Sequence, residues 1–321
     1  MTTLPRMFSI GLVLSAGGAL GDPWHSGVLS RLEELSGWDA RTSDLIVGTS
    51  AGSFTGASLR AGLSSADSAA RHQGLPLSVE GQALIDLITT RYEETKEPRD
   101  WRPWSPRMSA RAMWPPWKLD PVRIALGGLP RGNISGAAIA SRVDEMNPHG
   151  WPEAPLWIVT VRSDDGRRVV FGRDDVNGSL GQATQASSAI PIVYAPVRIG
   201  KREYIDGAVH SSTNADLVAT LGFDLVIVSS VMTAKAETRN WITDPRRAWF
   251  GTKLDDEVNK IHGRGAAVVV IEPDASTLGE LVAADPEARL RALHAGREAV
   301  DRTLAGQRGS GIRSLIDRAT N

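Results

Sequence analysis

Short all-apolar runs alternate along the chain with stretches whose apolar residues recur every three or four positions. Residues 8–15 ("FSIGLVLS") predict a strand, and residues 25–36 a helix with Val28, Leu29, Leu32 and Leu35 on one face. A short strand at 45–47 and a helix at 53–61 repeat the alternation. Residues 156–162 ("LWIVTVR") and 167–172 ("RRVVFG") predict strands paired around the turn "SDDG". A small-residue helix at 179–189 stops before Pro191, and the runs "APVRIG" and "REYIDGA" follow. Then come a helix at 213–221, a strand at 224–230, a helix near 253–262 and a strand at 266–273. The tail from 276 is predicted mostly helical. All-apolar strands such as "DLVIVSS", alternating with helices, predict an α/β fold: a mostly parallel central sheet with helices on both faces, in three layers.

One region breaks the pattern. Between 72 and 135 only 79–94 predicts a helix, and residues 98–121 hold six prolines and four tryptophans, which excludes a long helix there. This region is expected to be a cap inserted into a core of residues 8–230. Residues 231–321 are expected to complete the same domain, since no repeat or linker separates them.

Composition narrows the picture modestly. The chain has 321 residues, 41% of them hydrophobic, enough for a sizeable core. A net charge of -1 argues against general nucleic-acid binding. The absence of cysteine excludes disulfides, thiolate metal sites and a cysteine nucleophile, and fits a cytoplasmic location. The first residues, with Arg6 before an apolar run, imitate an export signal. The strand reading is preferred, because cleavage would remove the first strand together with the glycine-rich turn after it. No apolar run approaches the roughly 20 residues needed to cross a bilayer. Oligomeric state is not legible.

The chemistry concentrates in two turns. "GTSAGS" (48–53) follows the apolar run 45–47 and precedes a helix. Gly-x-Ser-x-Gly between a strand and a helix is the nucleophile elbow, in which Gly48 and Gly52 make room for a tight turn and Ala51 is small. Ser50 then sits at a helix N-terminus, where free N–H groups favour developing negative charge. The bland alternative is a Ser/Gly turn that caps a helix. "SAGGALG" (15–21) follows the first strand but fails the dinucleotide fingerprint, since Ala16 occupies the first glycine position. Its main-chain N–H groups could approach an oxyanion closely, or the turn could simply be close-packed.

A serine nucleophile needs a base. None of the six histidines (His25, His72, His149, His210, His262 and His294) has a marking motif. Asp206, before Gly207 and Ala208, stands at the end of a short extended run, although an acid before a glycine is commonly just a turn former.

Three ordered blocks resemble the patatin-like phospholipase family: "LSAGGALGDPWHSGVLSRL", "GTSAGS" and "ASSAIPIVYAPVRIGKREYIDGAVHSSTNADLVATLGFDLVIVSS". The resemblance spans about residues 9–230 and is loose over 72–155. It implies a patatin-like fold and a Ser–Asp dyad, with Ser50 as nucleophile and Asp206 as general base, and no required histidine. It implies an oxyanion hole from the N–H groups around Gly17, Gly18 and Ala19. The implied substrates are lipid carboxyl esters, cleaved through an acyl-enzyme without metal or cofactor. Two residues depart from the pattern. Ala16 replaces a glycine, which the turn can accept if its φ is negative. Leu20 stands where many members carry a basic residue that could help hold an anionic headgroup or oxyanion.

Residues 98–118 carry Trp101, Trp104, Trp114 and Trp117 with Arg99, Arg102, Arg107, Arg111 and Lys118 against a single acid, Asp100. Tryptophan with arginine suits a membrane–water interface. The segment is expected to be either a lid or peripheral docking patch, or a cap whose tryptophans pack inward. The rival readings of the whole chain are a Ser-His-Asp hydrolase using His210, His262 or His294, a weakly active lipid-binding regulatory protein, and a nucleotide-binding enzyme that would lack both a fingerprint and a P-loop lysine.

Overall fold

The computed structural model describes residues 8–91, 95, 96, 98, 101, 103–119, 121–274 and 285–305. The tail call from 276 therefore lies outside the described residues over 276–284 and 306–321, as do Arg99, Asp100 and Arg102 of the tryptophan-rich stretch.

The first half of the core alternates as the sequence predicts. Strand β1 (Ile10–Leu14) leads to helix α1 (Gly21–Ser36), strand β2 (Leu45–Thr49) and helix α2 (Ala51–Arg60). Helix α1 begins four residues before the predicted start. A 3-10 turn at Gly18–Leu20 runs straight into it, Asp22 occupies its first turn, and Pro23 is tolerated that near the start.

Helices α3 (Ser65–Gln73) and α4 (Val79–Asp86) follow. The predicted helix at 79–94 stops at Asp86. The N–H groups of Thr89 and Thr90 donate to the carboxylate of Glu145 instead of continuing a helical ladder. Two-residue strands β3 (Thr95–Lys96) and β4 (Ile134–Ser135) pair with each other, with the short helices α5 (Pro106–Ala112) and α6 (Pro121–Gly128) between them. Helix α7 (Ala137–Met146) leads back to the sheet.

The return comprises strands β5 (Leu156–Arg162) and β6 (Arg168–Phe171), helix α8 (Leu180–Ser187), and strands β7 (Val197–Ile199), β8 (Arg202–Asp206) and β9 (Leu225–Ser229). Helix α9 (Pro245–His262), strand β10 (Ala267–Ile271) and helix α10 (Pro286–Ala305) close the described chain. The helix predicted at 213–221 is a single 3-10 turn, Ala215–Val218. Asn214 adopts left-handed geometry, and the buried Glu257 takes hydrogen bonds from the Thr213 hydroxyl and the Ala215 N–H. Those bonds hold the segment to α9 rather than in an α-helix.

Apart from the separate β3–β4 pair, the described strands form one sheet in the order β10-β9-β1-β2-β5-β8-β7, with β6 also on β5. Strands β10, β9, β1, β2 and β5 run parallel. Strands β6 and β8 are antiparallel to β5, and β7 to β8. Every residue of β1, β2 and β9 is buried, as two covered faces demand. Leu12, Ile46, Ile158 and Ile227 face a core shared with Trp24, Leu29, Leu180 and Val300. Their neighbours Val13, Val47, Val159 and Val226 face a second core that includes Leu254 and Ile261. Alternation across the strands thus builds the three layers. Among the described residues, no helix is long and apolar enough to cross a membrane.

Candidate active site

Strand pairing explains how residues far apart in sequence meet. On one edge of β5, Thr49 at the end of β2 lies opposite Val159, and Asp206 at the end of β8 lies opposite the next residue, Thr160. Strands β2 and β8 run toward each other along that edge and stop head-on. Ser50 follows Thr49 directly, so the serine and the aspartate are delivered to one spot by neighbouring backbone registers.

The local backbone then aims them. Ser50 has φ 53° and ψ -120°, a strained conformation for a residue with a side chain. The turn closes so tightly that a Cβ on Gly52 would sit 2.1 Å from the Leu14 carbonyl oxygen, and one on Gly48 would sit 2.6 Å from that of Gly52. The Ser50 N–H donates to Ser187 Oγ at 2.8 Å, whose hydroxyl donates to the Val159 carbonyl at 2.7 Å. The elbow is therefore tied through α8 to β5. A Cβ at Gly207 would lie 2.5 Å from the Val159 carbonyl oxygen, so the head-on junction also requires glycine there.

Ser50 and Asp206 are only 3% and 2% exposed, and both line the same cavity. Burial pushes the Asp206 carboxyl up to about 7, against the opposing effects of the Ala208 N–H, 2.8 Å from Oδ1, and of the serine hydroxyl. The pair thus combines a serine in an elbow with a carboxyl that is partly ionised near neutral pH.

Gly17, Gly18 and Ala19 line the same cavity as Ser50 and Asp206. The positive φ of this turn falls at Gly18, at 54°, and Ala16 is not among the residues with positive φ, so alanine fits where a glycine was expected. The Ala16 N–H donates to the Ser212 carbonyl, while no main-chain partner engages the N–H groups of Gly17, Gly18 and Ala19 among the described residues. The turn is anchored from below. Both the Gly52 N–H and His25 Nε2 donate to the Ser15 carbonyl, and His25 Nδ1 accepts from the Ser229 hydroxyl. Burial pushes the His25 imidazole down to about 4, so it is a neutral structural link.

Two cavities meet at Ser50, sharing Gly18, Ala19, Ser50 and Ile190. The first, about 710 Å³, contains Asp206 and is walled by Leu20, Val209, Met232, Trp241, Trp249 and Phe250. The second, about 560 Å³, is lined by Asp22, Phe54, Arg71, His72, Arg142 and Arg289. His72 reaches this second wall, but its Nε2 is bonded to Asp22 at 3.0 Å. His210, His262 and His294 line neither cavity.

The predicted tryptophans lie elsewhere. Trp104 packs against Val161, Ile205 and Val209. Trp101, Trp114 and Trp117 are 76%, 75% and 80% exposed, and none of the four lines either cavity. The site's own tryptophans, Trp241 and Trp249, were missed. A signal was available: Asp244 caps α9 by accepting from the Arg247 N–H, with Pro245 at the first helical position. That signature starts the helix at 245 rather than 253 and places Trp249 and Phe250 on it.

The fold is thus α/β, and at one end of its largely parallel sheet a glycine-flanked serine turn meets a buried carboxyl beneath a glycine turn. A family model described as Patatin-like phospholipase matches residues 12–219, well over half of the chain, and the chain belongs to that family. With membership comes the family's general activity, hydrolysis of lipid esters. The structure is also similar to the crystal structure of VipD from Legionella pneumophila, at 14% identity and a TM-score of 0.43, over 94% of this chain and 67% of that one.

Proposed function

We propose that this protein is a serine lipid acyl hydrolase that cleaves carboxyl esters of the phospholipid, lysophospholipid or acylglycerol type through a Ser50–Asp206 dyad. The observation that carries the reading is the meeting, at one cavity wall, of a strained, buried serine and a buried carboxyl raised to about 7. Asp206 in its ionised form takes the Ser50 proton as the hydroxyl oxygen attacks the ester carbonyl. The N–H groups of Gly17, Gly18 and Ala19 receive the charge that develops on the carbonyl oxygen. Protonated Asp206 then gives its proton to the departing alcohol, leaving an acyl-enzyme. A water molecule deprotonated by Asp206 releases the fatty acid. The apolar cavity beside the dyad takes the acyl chain. Neither metal nor cofactor enters these steps. Exposed Trp101, Trp114 and Trp117 bring the protein to the lipid surface as a peripheral contact.

The test is intact-mass analysis after treatment with a long-chain alkyl fluorophosphonate. One adduct on the wild type, absent from Ser50→Ala, is expected. A folded wild type that stays unlabelled, even with detergent, would remove the nucleophile and bring the lipid-binding alternative forward.

A further inference from the structure

Strands β2 and β8 each pair with β5 and not with each other, so no sheet hydrogen bond spans the gap between Thr49 and Asp206. Two clamps cross that gap from opposite faces of the sheet. On the α8 face, the Ser50 N–H donates to Ser187 Oγ, and the Asp206 N–H donates to the Ala189 carbonyl at 3.1 Å. On the α9 face, the clamp is one side chain. Thr49 points the same way as Val47, two residues earlier, toward the core that holds Leu254 and Ile261 of α9. Its methyl group lies against Gly207, where an added Cβ would be 3.1 Å from Thr49 Cγ2. Asn214 Nδ2 donates to Thr49 Oγ1 at 3.2 Å and to the Ser211 carbonyl at 2.6 Å, and reaches the Gly207 carbonyl at 3.5 Å. One amide therefore touches both the residue before Ser50 and the residue after Asp206. Asn214 is fully buried, and its amide is fixed in orientation. Its Oδ1 accepts from Arg168 Nη1 at 3.2 Å, and Arg168 is itself held by both oxygens of Asp216, at 2.6 and 2.8 Å. The backbone is fixed as well, because Glu257 accepts from the Thr213 hydroxyl at 2.5 Å and from the Ala215 N–H at 2.8 Å. The same loop carries the glycine turn, since the Ala16 N–H donates to the Ser212 carbonyl at 2.8 Å.

We infer that Asn214 is a positioning residue for the dyad: its amide bridges the ends of β2 and β8 and holds Ser50 at the distance from Asp206 that proton transfer requires. The inference rests on the hydrolase reading above. Asn214 and Thr49 line neither cavity, so they touch neither substrate nor the reacting atoms, and their effect falls on kcat rather than on KM. A general base works only within hydrogen-bond reach of the proton that it takes. The bridge needs the chemistry of asparagine. Two N–H bonds face the Thr49 hydroxyl and the Gly207 and Ser211 carbonyls, while one carbonyl oxygen faces Arg168. Aspartate at this position would turn an acceptor toward three oxygens, and an apolar residue would leave buried polar groups without partners. The backbone asks for the same residue, because φ is 54° at position 214, a region that asparagine enters more readily than most side chains.

The experiment measures kcat and KM on 4-nitrophenyl butyrate, and the rate of labelling by the alkyl fluorophosphonate, for the wild type and four variants, with thermal melts to confirm folding. Asn214→Gly removes the amide and accepts the left-handed backbone. Thr49→Val keeps the shape of the side chain and removes its hydroxyl, Thr49→Ser keeps the hydroxyl, and the fourth variant combines Thr49→Val with Asn214→Gly. Asn214→Gly is expected to lower kcat by about 100-fold with KM within about twofold of wild type, the loss typical of a reacting group displaced by roughly 1 Å. Thr49→Val should lower kcat about five- to tenfold, and Thr49→Ser should restore it to within about threefold. The double variant should be within about twofold of Asn214→Gly, because both changes break the same bond. Labelling rates should fall in the same order. A folded Asn214→Gly with kcat within about threefold of wild type overturns the inference. So do a Thr49→Val that matches wild type in kcat, and losses that multiply in the double variant, since either result leaves Asn214 a packing residue. Should Asn214→Gly fail to fold, Thr49→Val against Thr49→Ser decides the matter alone. A folded wild type that neither hydrolyses the ester nor takes the label overturns the hydrolase reading itself, and the inference with it.

Discussion

At the floor of the site, a methyl group on Gly52 or Gly207 would lie 2.1 or 2.5 Å from a main-chain carbonyl oxygen. At its walls, Trp241 is 56% exposed, and Arg289 projects from the surface of α10. The floor is made where strand ends abut, so its residues are dictated by backbone clearances. The walls are made by side chains reaching in from helices that already have other packing partners. Chemistry that must hold reacting groups within a fraction of an ångström belongs on the first surface. Choice among lipids can be adjusted on the second without disturbing the fold.

The largest effect should come from the floor. Asp206→Asn keeps a carbonyl oxygen for the Ala208 N–H but cannot take a proton from Ser50, so kcat should fall by roughly 10²–10⁴. The pH dependence follows from the same carboxyl. Its group must be ionised to act, so wild-type kcat/KM should rise as pH passes through about 7, while residual activity of the variant lacks that limb. Stability has the opposite sign. Because the folded state raises the pKa from 3.8 to about 7, the stability that favours the protonated form is complete below 3.8 and is lost as pH rises through 7. At pH 8 the asparagine variant should therefore melt higher than the wild type, by up to roughly 4 kcal/mol of stability. Activity within tenfold of wild type, or a lower melting point at pH 8, would contradict the dyad.

The next effect is structural and separates floor from wall directly. Gly52→Ala forces its methyl group into the Leu14 carbonyl, where backbone must move, and should cost about 3 kcal/mol or more. Trp241→Ala removes a larger group from a half-open wall and should change thermal stability by under about 1 kcal/mol. Paired thermal melts decide the matter. Equal losses for the two variants would mean that wall and floor are one packed unit.

The same contrast governs what could be read in advance. Ser50, Gly48 and Gly52 are legible because an elbow forces residue types at fixed spacing. Asp206 is legible mainly through its company, since Asp-Gly alone describes many turns. The antiparallel meeting of β2 and β8 on β5, which brings serine and aspartate together, is invisible in the run "REYIDGA". Strands β1, β5, β6 and β9 could be found from apolar runs. The end of α4 and the 3-10 turn at Ala215–Val218 could not, because each is set by a distant acid, Glu145 or Glu257. Arg71, Arg142 and Arg289 belong to no motif. They become neighbours only when α3, α7 and α10 pack around the nucleophile.

Tryptophans give the smallest and sharpest test of the division, because two groups of them have different surroundings. Trp241 and Trp249 line the apolar cavity beside Ser50, whereas Trp101, Trp114 and Trp117 are largely exposed and line neither cavity. Replacing Trp101, Trp114 and Trp117 together with alanine should weaken flotation with anionic vesicles about three- to tenfold, since each loses an aromatic ring suited to the interface. Its kcat on a short-chain, monomeric ester should stay near wild type. Replacing Trp241 and Trp249 should leave flotation close to wild type and raise KM for long-chain esters several-fold, with less effect on short ones, because apolar wall area is lost where the chain lies. If both triple and double variants lose flotation and long-chain turnover in parallel, the cavity mouth and the docking patch are the same surface, and lipid capture and chain binding are a single event.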